Sequence, residues 1–198
     1  MHIVCLDLES IIIPEIWIAV AEATGISELH LTTRDVPDYR KLMDNRLRIL
    51  RSHNHRQKDV QQGIQSIQPF SGAVSFLNWV RTRFPTLIVT DSYYEFIMPM
   101  MEKLAYPTVL CNSLEINEQG YIVNYKIRQS NGKAMTVKAL KALNFMTVAI
   151  GDSYNDIAML EEAEKGILFR PSENIREEFT QFVITKTYSE VKNELLTL

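Results

Sequence analysis

The chain has 198 residues, of which 46% are hydrophobic, so it is long enough to bury one sizeable core and to carry an inserted subdomain. Its formal net charge of -3 at pH 7 argues against the broad cationic surface that nucleic acids and anionic membranes attract. The expected class is a soluble globular protein with no nucleic-acid or membrane partner.

The cysteines and the N-terminal residues bear on the cellular compartment in which the protein is expected. Cys5 and Cys111 both lie in apolar stretches, which predicts buried reduced thiols rather than a disulfide framework. The N-terminus lacks the basic, long-apolar and small-residue pattern of a leader, and no apolar stretch approaches the ~18 residues of a membrane span. These features predict a cytoplasmic protein.

Short apolar runs alternate along the chain with longer amphipathic stretches. The runs have the length of strands buried on both faces, and the stretches repeat apolar residues at helical spacing. Predicted strands cover residues 2–7, 86–91, 107–111, 147–152 and 166–169, and predicted helices cover 72–84, 93–105, 133–145 and 155–165. This alternation predicts right-handed crossovers and an α/β fold with a Rossmann-like, mainly parallel sheet.

Residues 113–127, SLEINEQGYIVNYKI, interrupt the alternation. Apolar and polar residues alternate on both sides of EQG, which is the period of a half-buried strand. Two such runs around a glycine-containing turn predict a β-hairpin.

Residues 14–68 are a second interruption, with helical patterns and no convincing strand. In PEIWIAVAEATG, Pro14 is expected at a helix start and Gly25 at its end. The predicted organisation is a core of residues 1–13 and 71–198, with a four-helix-type cap of residues 14–70 inserted after the first strand.

Polar residues close several of the predicted strands. In an open parallel sheet, ligands collect beyond the carboxyl ends of the strands, so these side chains are expected to share one rim. Lys133 opens the predicted helix that precedes the strand closing on Asp152, and it adds an ammonium to the same rim. The candidate residues are Asp7, Glu9, Thr90, Asp91, Lys133, Asp152 and Asp156.

This set of side chains suits phosphoryl transfer with magnesium. Mg²⁺ prefers oxygen ligands and takes one or two protein carboxylates beside water and phosphate. Asp7 is the candidate nucleophile, which would form an aspartyl-phosphate. Thr90, Lys133 and backbone N–H groups of the loop at 91–92 are expected to hold the phosphate oxygens.

Taken singly, these residues are not specific. Thr90 can simply end a strand, and Lys133 has the pattern of a solvated helix residue. GDSYND, residues 151–156, is a stronger signal because its glycine permits a tight turn while polar side chains cluster at a helix N-terminus. His53 and His55 alternate in RSHNHR but have no third soft ligand nearby, so we expect solvated side chains rather than a metal site.

The motifs CLDLES, LIVTDS, Lys133 and AIGDSYND resemble, in that order, the four motifs of the haloacid dehalogenase-like phosphohydrolases. The resemblance covers essentially the whole chain and is closest to the phosphoserine phosphatase branch, in which a small helical cap lies between the first two motifs. Within that branch DLE, PEIW, TTRDVPDYRKLM, RLRIL and GDSYND resemble the bifunctional phosphoserine phosphatase/homoserine phosphotransferase.

The resemblance implies a role for each motif residue of the core. Asp7 would be phosphorylated, and Mg²⁺ would be held by Asp7, the backbone carbonyl of Glu9, and Asp152. Glu9 would act as general acid and base. The residues implied to bind phosphate or to support the substrate or metal shell are Thr90, Asp91, Lys133 and Asn155.

The cap would supply the amino-acid ligands. The resemblance implies that Glu15 meets the amino group and Arg46 the carboxylate of the substrate. The pairing is sensible by itself, since a zwitterion needs one acid and one base, and arginine binds carboxylate through two donors. Arg48 lies on another face of the same helix, and which arginine faces the cleft stays open. The implied small-molecule substrates are O-phospho-L-serine and L-homoserine.

Two residues depart from the family's usual motifs. Glu9 stands where the family has aspartate, and Thr90 stands where it has serine. Glu9 keeps the acid–base function with a reach one methylene longer. If it activates water poorly, the aspartyl-phosphate would survive long enough for homoserine to capture it.

Three alternatives remain at this point. Receiver domains use a similar set of acids, hydroxyl and lysine for signalling, but they are shorter, lack an insertion after the first strand and carry their phosphorylated aspartate on a later strand. A homologue that binds phosphoamino acids without turnover is a second alternative, and a phosphatase of another small phosphomonoester is a third. The preferred acceptor, water or homoserine, and the oligomeric state, monomer or homodimer, stay open.

Overall fold

The computed structural model describes residues 1–32, 35–36 and 39–198. Positions 33, 34, 37 and 38, which belong to the resemblance segment TTRDVPDYRKLM, lie outside the described residues. A seven-stranded sheet with the order β4-β3-β2-β1-β5-β6-β7 forms the centre of the molecule. Its strands are β1 (His2–Leu6), β2 (Thr86–Tyr93), β3 (Val109–Ile116), β4 (Ile122–Lys126), β5 (Met146–Gly151), β6 (Lys165–Phe169) and β7 (Val183–Thr185).

Helices follow most of the strands and cover the sheet. They are α1 (Ile16–Thr24), α2 (Tyr39–Ser52), α3 (Gln57–Ser66), α4 (Ala73–Arg81), α5 (Tyr94–Ile97), α6 (Gly132–Ala142), α7 (Ile157–Glu162), α8 (Glu173–Glu178) and α9 (Tyr188–Leu195). Short 3-10 helices occupy Ser27–His30, Met98–Met100 and Tyr154–Asp156. Along the described chain, no helix combines the length and apolarity needed to cross a bilayer.

The parallel α/β architecture confirms the predicted fold class. Strand β1 lies at the centre of the sheet, and Val4, Cys5 and Leu6 are fully buried because helices cover both faces. All strand pairs are parallel except β3 with β4, which form the predicted antiparallel hairpin. The last strand, β7, was not predicted, because its three residues VIT are too short to show a periodic pattern.

The segment predicted to form the cap is helical where it is described, but its helices differ from the expected ones. The described residues between β1 and α4 form three α-helices and one short 3-10 helix rather than four full helices. Helix α1 begins at Ile16, two residues after Pro14, because the Glu9 carboxylate accepts the Ile16 N–H at 2.8 Å. Its end is as predicted, since Gly25 adopts the left-handed conformation with φ 69°.

The helix expected over residues 93–105 is shorter than predicted. Helix α5 has four residues and gives way to a 3-10 turn, Met98–Met100, at Pro99. Proline has no N–H to donate to the preceding turn, so the helical ladder is interrupted there. The apolar residues of this segment still pack inward, which explains why their spacing resembled one long helix.

Cap and core share one hydrophobic cluster. Val20 of α1 and Ile64 of α3 pack in the same group of buried side chains as Leu8 and Ile12, which follow β1. Gln57 at the start of α3 also donates its N–H to the Gly120 carbonyl of the hairpin turn at 2.9 Å. The cap is therefore seated over the rim of the sheet where β1 and β2 end.

Candidate active site

The site lies where the strand order changes direction. Residue Leu6 of β1 pairs with Ile88 of β2 on one side and with Ile150 of β5 on the other. The chain leaves β1 toward β2 on one side and leaves β5 toward β6 on the other, which opens a crevice beyond the carboxyl ends of β1 and β5. Asp7 follows directly and donates its N–H to the Ile150 carbonyl at 2.9 Å.

Lys133 lies among the buried acids of this crevice. Its ammonium is 2.7 Å from Asp156 Oδ1, 2.9 Å from Asp7 Oδ1 and 3.8 Å from Asp91 Oδ2. Burial by itself lowers the pKa of Lys133, but these carboxylates raise it well above its ordinary value. Lys133 is thus a permanent cation next to the candidate nucleophile, rather than the solvated helix residue of the alternative interpretation.

Asp156 organises the loop of the fourth motif. Its Oδ2 accepts the N–H groups of Asp152 and Ser153 and the Ser153 hydroxyl, at 2.9, 3.0 and 3.1 Å, while Oδ1 holds Lys133. A Cβ on Gly151 would lie only 2.3 Å from Asp156 Cβ, so this position requires glycine. The sequence placed Asp156 on the rim but did not predict this supporting role. The signal was present in Ser153-x-x-Asp156, the spacing of a capping box.

Three buried carboxylates could hold a cation. Asp7, Asp152 and Asp156 bring ligand oxygens within 4.8 Å of one another, and no other such cluster occurs within the described ranges. Burial raises the pKa of Asp7 to about 7 and that of Asp152 to about 8, with neighbouring negative charge adding to both and Lys133 opposing. Oδ1 of Asp7 makes no well-directed hydrogen bond despite its contact with Lys133.

This donor set fits Mg²⁺. The excess of buried negative charge needs a cation, and the ligands are hard carboxylate oxygens. The oxygens of Asp156 are already engaged with Lys133 and with the loop, so Asp7 and Asp152 are the side chains left to bind metal. Neither His53 nor His55 is part of the cluster.

Glu9 lies between the nucleophile and the first cap helix. Its carboxylate accepts the Ile16 N–H at 2.8 Å, at the N-terminus of α1. Burial raises the pKa of Glu9 to about 8, and the negative charges of Glu15 and Asp7 act in the same direction. Glu9 can therefore carry a proton at neutral pH, which a general acid must do.

Thr90 and Asp91 belong to an irregular part of β2. Thr90 is buried at the rim, and its Oγ1 accepts the Ser92 N–H at 3.2 Å. The Asp91 side chain is 44% exposed and faces the ammonium of Lys133. Thr90 and Asp91 border the same cavity as Asp7.

Arg46 is a buried cation of the cap. Its Nη2 donates to the Leu31 carbonyl at 2.7 Å, and its guanidinium lies 4.4 Å from the ring centroid of Trp17. Nε has no hydrogen-bond partner, and among the described residues no carboxylate lies within 4.0 Å of the guanidinium. Arg48, by contrast, is exposed and bonds to Asn45, so Arg46 is the arginine that faces the cleft.

A single cavity of about 630 Å³ collects the candidate residues from cap and core. Glu15 borders it, where its Oε1 accepts the Ser10 hydroxyl at 3.1 Å. Asn155 lies exposed at its edge. The sequence-predicted residues along the cavity are Asp7, Glu9, Glu15, Arg46, Thr90, Asp91, Lys133, Asn155 and Asp152.

The cavity is also bordered by aromatic residues that were not predicted as site residues, among them Trp17 and Tyr39. Trp17 was interpreted as a core or cap-contact residue, and it also stacks on Arg46. Tyr39 begins α2 and bonds to the backbone of Asp91. Neither lies in a strand-end motif, so only the position of the cap over the rim reveals them.

The chain is similar in sequence to known proteins. The sequence profile of the haloacid dehalogenase-like hydrolases matches residues 17–161. Over 196 residues the chain is 49% identical to phosphoserine phosphatase ThrH of Pseudomonas aeruginosa, covering 99% of this chain and 96% of that protein. It is 47% identical over 196 residues to a phosphoserine phosphatase of Pseudomonas syringae pv. tomato, covering 99% of this chain and 83% of that protein.

The fold also matches solved structures. One of them is described as a phospho-aspartyl intermediate analogue of phosphoserine phosphatase. It superposes with a TM-score of 0.77 at 19% identity, covering 97% of each chain. At this identity the likeness establishes the shared fold only.

Proposed function

The chain belongs to the haloacid dehalogenase-like hydrolase family, and on that premise we propose that it is a magnesium-dependent phosphatase of O-phospho-L-serine that works through an aspartyl-phosphate on Asp7. Family membership removes the receiver-domain alternative. Two relatives at 49% and 47% identity carry the name phosphoserine phosphatase, which supports the substrate.

The buried guanidinium of Arg46 is the observation that favours an amino-acid phosphate as the substrate. A buried guanidinium without a carboxylate partner in the described structure is costly, since burial of a charge requires compensation. A substrate carboxylate would supply that partner through two parallel hydrogen bonds. Glu15 borders the same cavity and would receive the substrate amino group. An amino-acid phosphate satisfies both residues at once.

The first half of the reaction transfers phosphate to the protein. Asp7 attacks phosphorus, and the bond from phosphorus to the serine oxygen breaks. Glu9 gives its proton to the departing serine alkoxide, which leaves as L-serine. Lys133 and the Thr90 hydroxyl stabilise the negative charge on the phosphoryl oxygens during transfer.

The second half releases phosphate. Glu9, now a carboxylate, takes a proton from water as the water oxygen attacks phosphorus. The bond to Asp7 breaks, and orthophosphate leaves with Asp7 restored as a carboxylate. Bound magnesium would reduce the repulsion between Asp7 and the phosphate. Asp7, Asp152 and the Glu9 backbone carbonyl are the groups that would hold it.

Homoserine is a second candidate acceptor in place of water. The cavity of about 630 Å³ exceeds what O-phospho-L-serine, a ligand of roughly a dozen non-hydrogen atoms, fills on its own. After L-serine leaves, Glu15 and Arg46 can orient the amino and carboxylate groups of homoserine. Its hydroxyl would then lose a proton to Glu9 while attacking the aspartyl-phosphate, which gives O-phosphohomoserine.

A phosphate-release screen tests these proposals. Small phosphomonoesters are assayed with and without magnesium and homoserine, and O-phospho-L-serine is expected to give the highest kcat/KM. Asp7→Asn should abolish turnover, while Asp44→Asn, at an exposed position of α2, should retain it. Steady turnover by Asp7→Asn would refute the mechanism, and no turnover by the unmodified protein would favour the non-catalytic alternative. A better substrate without an amino-acid group would refute the role of Arg46.

A further inference from the structure

Strand β2 leaves its ladder at the phosphate-binding residues. Val89 pairs with Leu110, and the next pair is Tyr93 with Asn112, so three residues of β2 face one residue of β3. In such a bulge the backbone N–H and C=O groups lose their regular partners and must find others. The bulged residues are 90–92, which include Thr90 and Asp91.

The carbonyl of Asp91 obtains two partners from outside the strand. Tyr39 of the cap donates its hydroxyl to it at 3.2 Å, and Asn112 of β3 donates Nδ2 at 2.9 Å. The Asn112 amide is itself oriented, because its Oδ1 accepts the Arg128 N–H at 3.0 Å. The carbonyl is thus clamped between one donor from the core and one from the cap.

A second phenol supports the cap donor. The hydroxyls of Tyr39 and Tyr93 are 2.6 Å apart, and each has a single proton. A carbonyl has no proton to give, so Tyr39 must donate to Asp91, and Tyr93 then donates to Tyr39. The hydrogen bonds run in one direction, from Tyr93 through Tyr39 to the Asp91 carbonyl.

The clamp also fixes the Thr90 hydroxyl. In a planar trans peptide the C=O and N–H point to opposite sides, so a clamped Asp91 carbonyl directs the Ser92 N–H away from the cap. That N–H reaches Thr90 Oγ1 at 3.2 Å. The oxygen of Thr90 accepts this bond, so its own proton stays available to donate to a phosphate oxygen.

We propose that Tyr39 is a positioning residue that holds the loop of residues 90–92 in its phosphate-binding form through the Asp91 carbonyl. The proposal rests on the proposed function for the phosphate-binding role of Thr90. Tyr39 and Arg46 are seven residues apart on α2, close to two helical turns, and both border the cavity. Helix α2 therefore carries both Arg46, which would bind the substrate carboxylate, and Tyr39, which would order residues 90–92.

Three tyrosine-to-phenylalanine variants, each of which removes one hydroxyl, test the proposal. Tyr39→Phe removes the donor to Asp91, whereas Tyr93→Phe breaks the same phenol pair but leaves that donor. Tyr121→Phe removes a cap-to-hairpin bond to Asn54 away from the site. Orthophosphate binding with magnesium is measured by calorimetry, and kcat and KM are measured with O-phospho-L-serine. Thermal unfolding monitors the fold of each variant.

We expect Tyr39→Phe to weaken orthophosphate binding roughly fivefold, as loss of one useful hydrogen bond does, and to lower kcat by a similar factor. Tyr93→Phe should lose clearly less orthophosphate affinity and kcat than Tyr39→Phe. Tyr121→Phe should match the unmodified protein in both quantities. Equal losses in Tyr39→Phe and Tyr93→Phe, or no loss in either, would overturn the proposal.

If Tyr39→Phe does not fold, Asn112→Ser decides, since it withdraws the second donor from the same carbonyl. Orthophosphate affinity equal to that of the unmodified protein would then overturn the proposal, and a similar weakening would support it. If the unmodified protein binds orthophosphate without turning over O-phospho-L-serine, the proposed function fails while the comparison of phosphate affinities still stands.

Discussion

The carboxylate of Glu9 accepts a hydrogen bond of 2.8 Å from the backbone N–H of Ile16, the first residue of α1. The candidate acid and base thereby also accepts the first N–H of α1, the helix that opens the inserted subdomain. An oxygen acceptor at a helix N-terminus satisfies an N–H that has no partner inside the helix. The longer side chain of glutamate thus has a structural reason that is separate from its chemistry.

Glu9→Asp should separate these two functions. The shorter side chain retracts from Ile16, and the loss of the helix cap should lower the free energy of unfolding by about 1 kcal/mol. Denaturant titration measures this change. The aspartate should also shift the partition of the phosphoryl group from homoserine toward water, and an unchanged partition ratio would contradict the hypothesis about the added methylene.

Glu9→Gln is the matched variant. Its amide oxygen can still accept the Ile16 N–H, so stability should stay within about 0.5 kcal/mol of the unmodified protein. Because glutamine cannot transfer a proton, kcat should fall about 100-fold or more. Stability loss equal to that of Glu9→Asp would show that Glu9 does not cap α1.

Gly151→Ala should damage the site through Asp156. The added Cβ would lie 2.3 Å from Asp156 Cβ, so Asp156 must move and release Lys133 and the loop. We expect stability to fall by about 1–3 kcal/mol, together with a large loss of kcat. Gly132→Ala is the control, since its Cβ would approach Arg128 Nη2 no closer than 3.5 Å and Gln129 Cβ no closer than 3.8 Å, which are ordinary contacts. Equal activity of the two variants would refute the supporting role of Asp156.

Arg46→Lys should raise the KM for O-phospho-L-serine, because an ammonium cannot form the two parallel bonds of a guanidinium. A loss of roughly 2 kcal/mol in binding corresponds to about a 30-fold increase. The KM for p-nitrophenyl phosphate, which has no carboxylate, should change little. Arg48→Lys, on the exposed face, serves as the control. A similar increase for both substrates would show that Arg46 does not recognise the carboxylate.

Magnesium affinity should increase with pH between 6 and 8. Burial raises the pKa of Asp7 from 3.8 to about 7 and that of Asp152 from 3.8 to about 8. A raised carboxyl pKa means that the folded protein favours the protonated form, so metal must displace protons at neutral pH. Calorimetry in buffers of different ionisation enthalpy should detect that release, and its absence in the unmodified protein would contradict the shifts.

The same shifts predict the pH dependence of stability without metal. Because the folded pKa values exceed the unfolded ones, these groups stabilise the fold at low pH, and their contribution is lost as pH rises from about 4 to about 8. Magnesium should raise the thermal midpoint more at pH 8 than at pH 6. Asp152→Asn should show a weaker pH dependence of stability and a smaller difference in magnesium stabilisation between pH 6 and pH 8. If stability in that variant changes with pH as in the unmodified protein, the raised pKa of Asp152 is refuted.

Most of the core site was accessible from the sequence because strand ends are local features. Asp7, Thr90 and Asp152 each close an apolar run, and a parallel sheet brings such ends to one edge whatever the rest of the chain does. The motif GDSYND similarly contained its own hydrogen-bonded loop. The hairpin and the helical insertion were also predicted, since period and turn residues are local patterns.

The contribution of the cap was decided only by the tertiary structure. Whether Arg46 or Arg48 faces the cavity depends on how α2 is rotated over the rim, and the packing of the shared hydrophobic cluster sets that rotation. The bond from Tyr39 to Asp91 joins residues 52 positions apart and has no local signal. The sequence alone thus determined the sheet, its acidic rim and the type of chemistry, because these follow from short-range pattern. The choice between two arginines, the capping of α1 by Glu9 and the clamp on Asp91 required the three-dimensional contacts between cap and core.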